Sequence, residues 1–174
     1  MLFAFENPPG TKIFAGSQDA IGIVYPGLNR LDYGGGYWPE KITAQQDEKI
    51  LRWIERYLLL IPLGQRTADY NVFKGKKITA PKVRALAAAA DGCWQAIQQM
   101  NLPELGRQMR ASFEAQISLF PQMTNDAVKD MIRHYGEKSL GWKLSGAGGG
   151  GYLVLVSDQL ISGAIQLKIR RQTG

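Results

Sequence analysis

Along the middle of the chain, apolar residues recur at the spacing of a helical face. Val83, Leu86, Ala87, Ala90, Trp94 and Ile97 make one stripe, introduced by Thr79 and Pro81 as a start signal. Leu105, Met109, Phe113, Ile117 and Phe120 make a second, opened by Leu102-Pro103. Val128, Met131, Ile132 and Tyr135 make a third, opened by Thr124. The methionines and aromatics at these positions read as core rather than as a cofactor pocket. His134, the single histidine, closes the third helix, where the helix dipole favours it without any catalytic role.

The flanking regions carry shorter apolar runs. Residues 28–33 alternate apolar and polar, Gly34-Gly35-Gly36 follows, and residues 37–42 return, which predicts a hairpin with a flexible turn. Thr43 is the expected cap of a helix with Ile50, Leu51, Ile54 and Leu58 on one face. That helix runs into a buried strand at residues 57–63, ended by Pro62 and Gly64. The polar loop at residues 64–70 follows directly; strand ends of this kind often carry function, and a plain solvated loop suits the composition equally. Strands are expected again at residues 140–144, 152–156 and 164–169. Strand-rich ends around a helical middle predict an α+β layout rather than repeated βαβ units. A single domain of residues 1–174 is expected, divided into a segment with a hairpin at 1–45 and an α+β body at 46–174.

Composition narrows the class. The 174 residues are 45% hydrophobic and 21% charged, ordinary for a globular domain with a real core. The net charge of +6 raises the question of nucleic acid. The basic residues are scattered, however, and the densest group, Lys168, Arg170 and Arg171, reads as the wet face of an edge strand. No nucleic-acid motif accompanies them, and the charge suits small anionic substrates as well. The one cysteine, Cys93, sits in an alanine-rich helical stretch and reads as a buried apolar residue. Without an internal disulfide, a signal peptide or an apolar run of membrane-spanning length, a cytoplasmic protein with no membrane partner is expected.

Two stretches carry chemistry. The first is Lys143-Leu144-Ser145-Gly146-Ala147-Gly148-Gly149-Gly150-Gly151, with five glycines in six positions. Each glycine costs roughly 0.5–1 kcal/mol of extra backbone entropy relative to alanine, so such a tract is a poor strand and a poor helix. It makes sense where backbone amides must approach an anion closely, and equally as a wide turn without a ligand. The second runs from Gly16 through Ser17, Gln18, Asp19, Ala20, Ile21 and Gly22 to Pro26-Gly27. By itself it is a glycine-bounded turn into a short helix, with Ser17 as N-cap and Asp19 in the first turn, where a carboxylate is favoured.

The glycine tract, followed by an apolar strand, resembles the third conserved motif of the GHMP kinases, named for galactokinase, homoserine kinase, mevalonate kinase and phosphomevalonate kinase. The segment around Asp19 resembles the one that carries the catalytic aspartate in the sugar-type members. The strand at 57–63, with Gly64 and Arg66 after it, is similar to its counterpart in the D-glycero-D-manno-heptose-phosphate kinases. The likeness runs from about residue 10 to residue 171. It implies a ferredoxin-like α+β C-terminal domain of a GHMP kinase, an antiparallel sheet packed with a helical middle section. It also implies ATP and Mg²⁺ as cofactors and a sugar or sugar phosphate as substrate. On that likeness Asp19 accepts the proton of the attacking sugar hydroxyl and Ser17 and Gln18 lie beside the substrate. Ser145, Gly146, Ala147, Gly148, Gly149 and Gly150 lie at the phosphate side.

The family's substrate-binding first motif and its glycine–serine phosphate loop lie upstream of the aspartate segment, and residues 1–16 contain neither. The residues that hold magnesium belong to that half, so no metal ligand is expected here, and ATP is not expected to bind this chain alone. The chain by itself is expected to have no useful kinase activity. It reads as a piece of a longer kinase, as one half of a split enzyme whose partner carries the N-terminal ATP-binding half, or as a non-catalytic binding or assembly module. Phe3, Phe5, Ile21, Ile23 and Tyr25 are the expected apolar face toward the other half, with a homodimer covering it in isolation. The kinase reading requires Asp19 and the glycine tract to converge on one transferred phosphoryl group.

Overall fold

The computed structural model describes residues 2–11 and 16–172. Residues 12–15, within the stretch that leads to Asp19, lie outside the described residues. The chain gathers into two compact units, residues 1–51 with 168–174, and residues 52–167.

The first unit holds α1 (Leu2–Glu6), α2 (Ser17–Val24), β1 (Leu28–Asp32) and β2 (Lys41–Gln45). β1 and β2 form the expected antiparallel hairpin, with Leu28 opposite Gln45 and Asp32 opposite Lys41. Gly27 enters it at φ +81°, where an added Cβ would stand 2.6 Å from the Gln45 carbonyl oxygen, so only glycine fits. Tyr37, Trp38 and Pro39 belong to the connection rather than to the returning strand. Thr43, expected as a helix cap, instead pairs with Arg30 inside β2. The ladder with β1 claims residues 41–45, and the helix start moves to Asp47, whose carboxylate accepts from the amides of Lys49 at 2.8 Å and Ile50 at 3.2 Å. The Gly27 amide donates to the Arg170 carbonyl at 2.8 Å, which ties the C-terminal segment to the same unit.

α3 (Glu48–Tyr57) carries the chain into the second unit, so Tyr57 ends a helix rather than opening the strand. There follow β3 (Leu58–Gly64), α4 (Ala80–Gln98), α5 (Leu102–Leu119), a 3-10 turn (Pro121–Met123), α6 (Asp126–Gly136), β4 (Gly141–Leu144), β5 (Gly151–Val156) and β6 (Ile165–Gln166). The four strands make an antiparallel sheet in the order β4-β5-β3-β6. Alternate residues of the three longer strands, Leu59, Ile61, Leu144, Leu153 and Leu155, build the core with Phe113, Met123 and Val128 from the helical section. The fold is mixed α+β with antiparallel sheets, as the sequence implied.

Helix starts follow the local signals. Asn101 caps α5 by accepting from the Glu104 amide at 3.1 Å. Asn125, one residue after the expected Thr124, caps α6 through the Val128 amide at 2.9 Å. The stripe on α4 differs from its expectation. Ala89, Ala96 and Ile97 are buried, while Val83, Ala87 and Ala90 are exposed. α4 packs chiefly on α5, and one neighbour buries a narrower stripe than a core helix shows. The last strand is also shorter than residues 164–169. Only Ile165 and Gln166 pair with β3, and Lys168 and Arg170 lie beyond it, so they are not the wet face of a strand. Among the described residues no helix is long and apolar enough to cross a membrane.

Two glycines set how closely α5 approaches β4. A Cβ on Gly141 would stand 2.0 Å from the Gly106 carbonyl oxygen, and one on Gly106 would meet the Leu140 backbone at 2.6 Å. This contact places α5 beside the strand that leads into the glycine tract.

Candidate functional site

β4 and β5 are joined by the glycine tract, which forms a loop that neither strand could continue. Its φ values are positive at Gly146 (+64°), Gly148 (+69°), Gly149 (+70°) and Gly151 (+81°), and Ala147 between the first two is not among the positive residues. Sign alternation of this kind across 146–148 is a feature of anion-binding nests, in which successive peptide N–H groups face one side. The loop closes with the Ser145 amide donating to the Tyr152 carbonyl at 2.9 Å.

The strand-end loop after β3 straps the tract in place. Tyr70 Oη donates to the Ala147 carbonyl at 2.6 Å, and Arg66 Nε donates to the Gly148 carbonyl at 2.8 Å. From the other side the Gly149 amide donates to the Met123 carbonyl at 2.8 Å. Three glycines are needed for packing itself. A Cβ on Gly148 would stand 2.6 Å from Met123 O, one on Gly149 would stand 2.2 Å from the Tyr70 ring, and one on Gly150 would stand 2.9 Å from Gly64 O. Gly148, Gly149 and Gly150 are accordingly buried, Ala147 is half-buried, and Ser145 and Gly146 are exposed. The amides of Gly146, Ala147 and Gly148 donate to no other described residue. The tract therefore has a packed half and an open half.

Electrostatics around the strap favour an anion. Residues 64–77 carry Arg66, Lys74, Lys76 and Lys77 against one carboxylate, Asp69. A hydrogen bond from Thr67, its own backbone amide and nearby Lys74 hold that carboxyl below its ordinary range. Burial pushes the Tyr70 phenol up, and the Arg66 guanidinium partly offsets it, so the phenol keeps its donor proton. At the start of the motif, Lys143 donates to Gln116 Oε1 on α5. Burial lowers its ammonium to about 8, with Cys93 on α4 partly opposing the shift.

The other group of expected site residues is in the first unit. Asp19 and Gln18 are exposed in the first turn of α2, and Asp19 makes no hydrogen bond to a described residue. Ser17 is 1% exposed, and its hydroxyl shares a 2.9 Å hydrogen bond with Tyr33 Oη. It does not cap the helix, because Gly16 occupies the N-cap position and Ser17 is already helical. Thus Ser17, Gln18 and Asp19 stand together in one unit, and Ser145 to Gly150 stand together in the other.

No family model matches the chain. It is 25% identical over 170 residues to the bifunctional fucokinase/GDP-fucose pyrophosphorylase of Arabidopsis thaliana, covering 91% of this chain and 16% of that protein. In fold it is similar to a crystal structure of mevalonate kinase, with a TM-score of 0.50, 20% identity, and coverage of 83% of this chain and 44% of that one. Both likenesses are to kinases. They support a relation to the GHMP type, and the structural one matches the α+β fold of a GHMP kinase C-terminal domain. The chain spans less than half the length of either relative.

Tyr70 was not singled out from the sequence, Lys143 was noted only as the first residue of the glycine motif, and Arg66 was noted only for its place in a resembling loop. The available signals were an arginine and a tyrosine in a polar loop directly after a buried strand, and a lysine inside an otherwise apolar one.

Proposed function

We propose that the chain provides the C-terminal part of an ATP-dependent kinase that transfers a phosphoryl group to a hydroxyl of a sugar or sugar phosphate. The observation that carries this reading is the strapped glycine loop, which leaves the amides of Gly146 and Ala147 unpaired on a packed base formed by Gly148 to Gly150. In this reading the sugar hydroxyl oxygen attacks the γ-phosphorus of ATP, the bond from that phosphorus to the β–γ bridging oxygen breaks, and ADP leaves. The hydroxyl proton passes to the Asp19 carboxylate. Gln18 would flank the sugar from the same turn of α2, and Ser17 would hold Tyr33 in place behind it. The loop amides would take the charge that spreads over the phosphoryl oxygens.

The open amides and the basic strap fit the phosphates of ATP. No group of three or more His, Cys, Asp or Glu side chains among the described residues could hold a metal ion, so no step through magnesium is assigned to them. By themselves the 174 residues hold the base and one glycine loop, and the remaining phosphate contacts would come from an ATP-binding half in cis or in trans. Fucose is the first sugar to test, from the name of the Arabidopsis relative, and heptose phosphates are the second, from the likeness of the strand at 57–63.

A second reading, a non-catalytic binding or assembly module of the same fold, is favoured by the exposed apolar residues of α1 and α2. One experiment separates the two. The chain is mixed with a separately expressed ATP-binding half of a related kinase, and ATP-dependent phosphorylation of a sugar panel is measured. Turnover is expected only in the mixture, and Asp19→Asn is expected to lower it about 10²–10⁴-fold, the usual worth of a positioned base. Unchanged turnover in that variant removes Asp19 from the role, and no turnover on any sugar leaves the binding module.

A further inference from the structure

Arg66 does more than its bond to the glycine loop requires. Its Nε is committed to the Gly148 carbonyl, and one terminal nitrogen, Nη2, lies 3.9 Å from the point where a Cβ would stand on Gly146. The guanidinium therefore lies along the loop from its packed half to its open half. Its terminal nitrogens bond no described residue, and the side chain is exposed. The Tyr70 ring, 5.6 Å from the guanidinium carbon, holds it from one side, while the same residue's hydroxyl fixes Ala147. An arginine restrained in this way has already lost much of its rotamer freedom, and its free edge is the planar fork that matches two oxygens of a phosphoryl group. The one carboxylate in its loop, Asp69, is held by Thr67 and Lys74 instead.

We propose that Arg66 is a phosphate-binding residue: with the amides of Gly146 and Ala147 it forms a subsite for a phosphoryl dianion, and Tyr70 is its positioning residue. The proposal rests on reading the glycine loop as the phosphate side, and it adds the cation that neutralises the charge there. A nucleotide and a sugar phosphate both offer this group, and the loop recognises what they share.

The test uses the full chain, isotope-labelled, and follows the amide resonances of Gly146 and Ala147 and the Arg66 Nε resonance by NMR. Inorganic phosphate, ADP and a hexose monophosphate are added in separate arms at millimolar concentration. Saturable shifts at these positions are expected with inorganic phosphate, and the tighter of the other two arms names the source of the group. Arg66→Gln is expected to weaken phosphate binding about tenfold or more, since it deletes a charged hydrogen-bonding fork. Arg66→Lys keeps the charge without the fork and should fall between. Tyr70→Phe should weaken binding a few-fold and move the Arg66 Nε resonance. If Arg66→Gln lowers the melting temperature yet binds phosphate as the parent does, Arg66 is only a latch and the proposal fails. It fails equally if the shifts map elsewhere or none appears in any arm. These outcomes need no turnover, so they stand apart from the fate of Asp19 in the mixed-half assay.

Discussion

Tyr70 lies against the bare Cα of Gly149 so closely that an added methyl would sit 2.2 Å from the ring, and Gly149 also has φ +70°. Both facts demand glycine, for different reasons. The first is a matter of space, and the second is the steric cost that an L side chain meets in the left-handed region. The glycine tract is thus not uniformly a ligand loop. Residues 148–150 are spent on packing against the 64–70 strap and the Met123 backbone, and this leaves residues 145–147 as the part that faces outward.

Gly149→Ala is expected to destabilise the fold by about 2–5 kcal/mol, combining roughly 1–2 for the left-handed backbone with 1–3 for overpacking. Urea unfolding at fixed pH measures it. In the double variant with Tyr70→Ala the steric part should vanish, so Gly149→Ala should then cost only the backbone share. Equal costs in the two backgrounds would mean that the ring is not the obstacle.

The Gly106–Gly141 contact should be less forgiving. The atom that a Cβ on Gly141 would strike is a backbone carbonyl of α5, which cannot swing aside as a side chain does. Gly141→Ala is expected to cost about 3 kcal/mol or more, at the upper end for small-to-large changes. A shift of the resonances of both α5 and the glycine loop should accompany it, since β4 leads from one to the other. A melting temperature within a degree or so of the parent would contradict this.

In the first unit Phe5 is 83% exposed and Ile23 61% exposed, beside a hollow of about 320 Å³ lined by Phe3, Ala20, Ile21 and Trp38, among others. Ile21, expected on this face, is instead 1% exposed and serves as its floor. The isolated chain is expected to pair with a second copy through these residues. Full burial of each large side chain contributes roughly 1.5–3 kcal/mol, so Phe5→Ser with Ile23→Ser should move the dimer to monomer. Sedimentation across concentrations decides it, and a parent chain that is monomeric throughout would overturn the pairing.

How much of this was legible in the sequence follows the range of the interactions. Pro81 and Pro103 marked helix starts because a proline in the first helical turn acts locally, and the glycine tract marked a loop between β4 and β5 because its composition excludes anything else. Thr43 was misplaced because its partner, Arg30, lies across a hairpin, and a cap signal read locally cannot see a ladder. Ser17 looked like a cap, and the structure gives its hydroxyl to Tyr33, 16 residues away. The strap is the extreme case. Arg66 and Gly148 are 82 residues apart, and Tyr70 and Ala147 are 77 apart, so no periodicity could join them. The site was therefore half visible: its backbone could be read from composition, and the side chains that shape it could not.

Lys143 and Cys93 predict an uncommon stability profile in mild alkali. Burial lowers the Lys143 ammonium from 10.5 to about 8, and burial raises the Cys93 thiol from 9.0 to about 11, with Lys143 lowering it in part and Glu104 adding to the rise. Between pH 8 and 9 the folded chain has released the lysine proton while the unfolded chain keeps it. The unfolded state then binds more protons, so stability rises with pH, by about 1 kcal/mol per unit. Above pH 9 the unfolded thiol ionises while the folded thiol does not, which contributes in the opposite sense and flattens the profile until the unfolded lysine titrates near 10.5. Unfolding free energies measured from pH 7 to 10 should therefore rise and then level. Cys93→Ala should let the rise continue toward a total of about 3 kcal/mol, and Lys143→Met should abolish the rise and leave a decline beginning near pH 9. A parent profile that is flat from pH 8 to 9, with Lys143→Met unchanged from it, would show that the ammonium is solvated in the folded chain and that the Gln116 contact does not hold it inside.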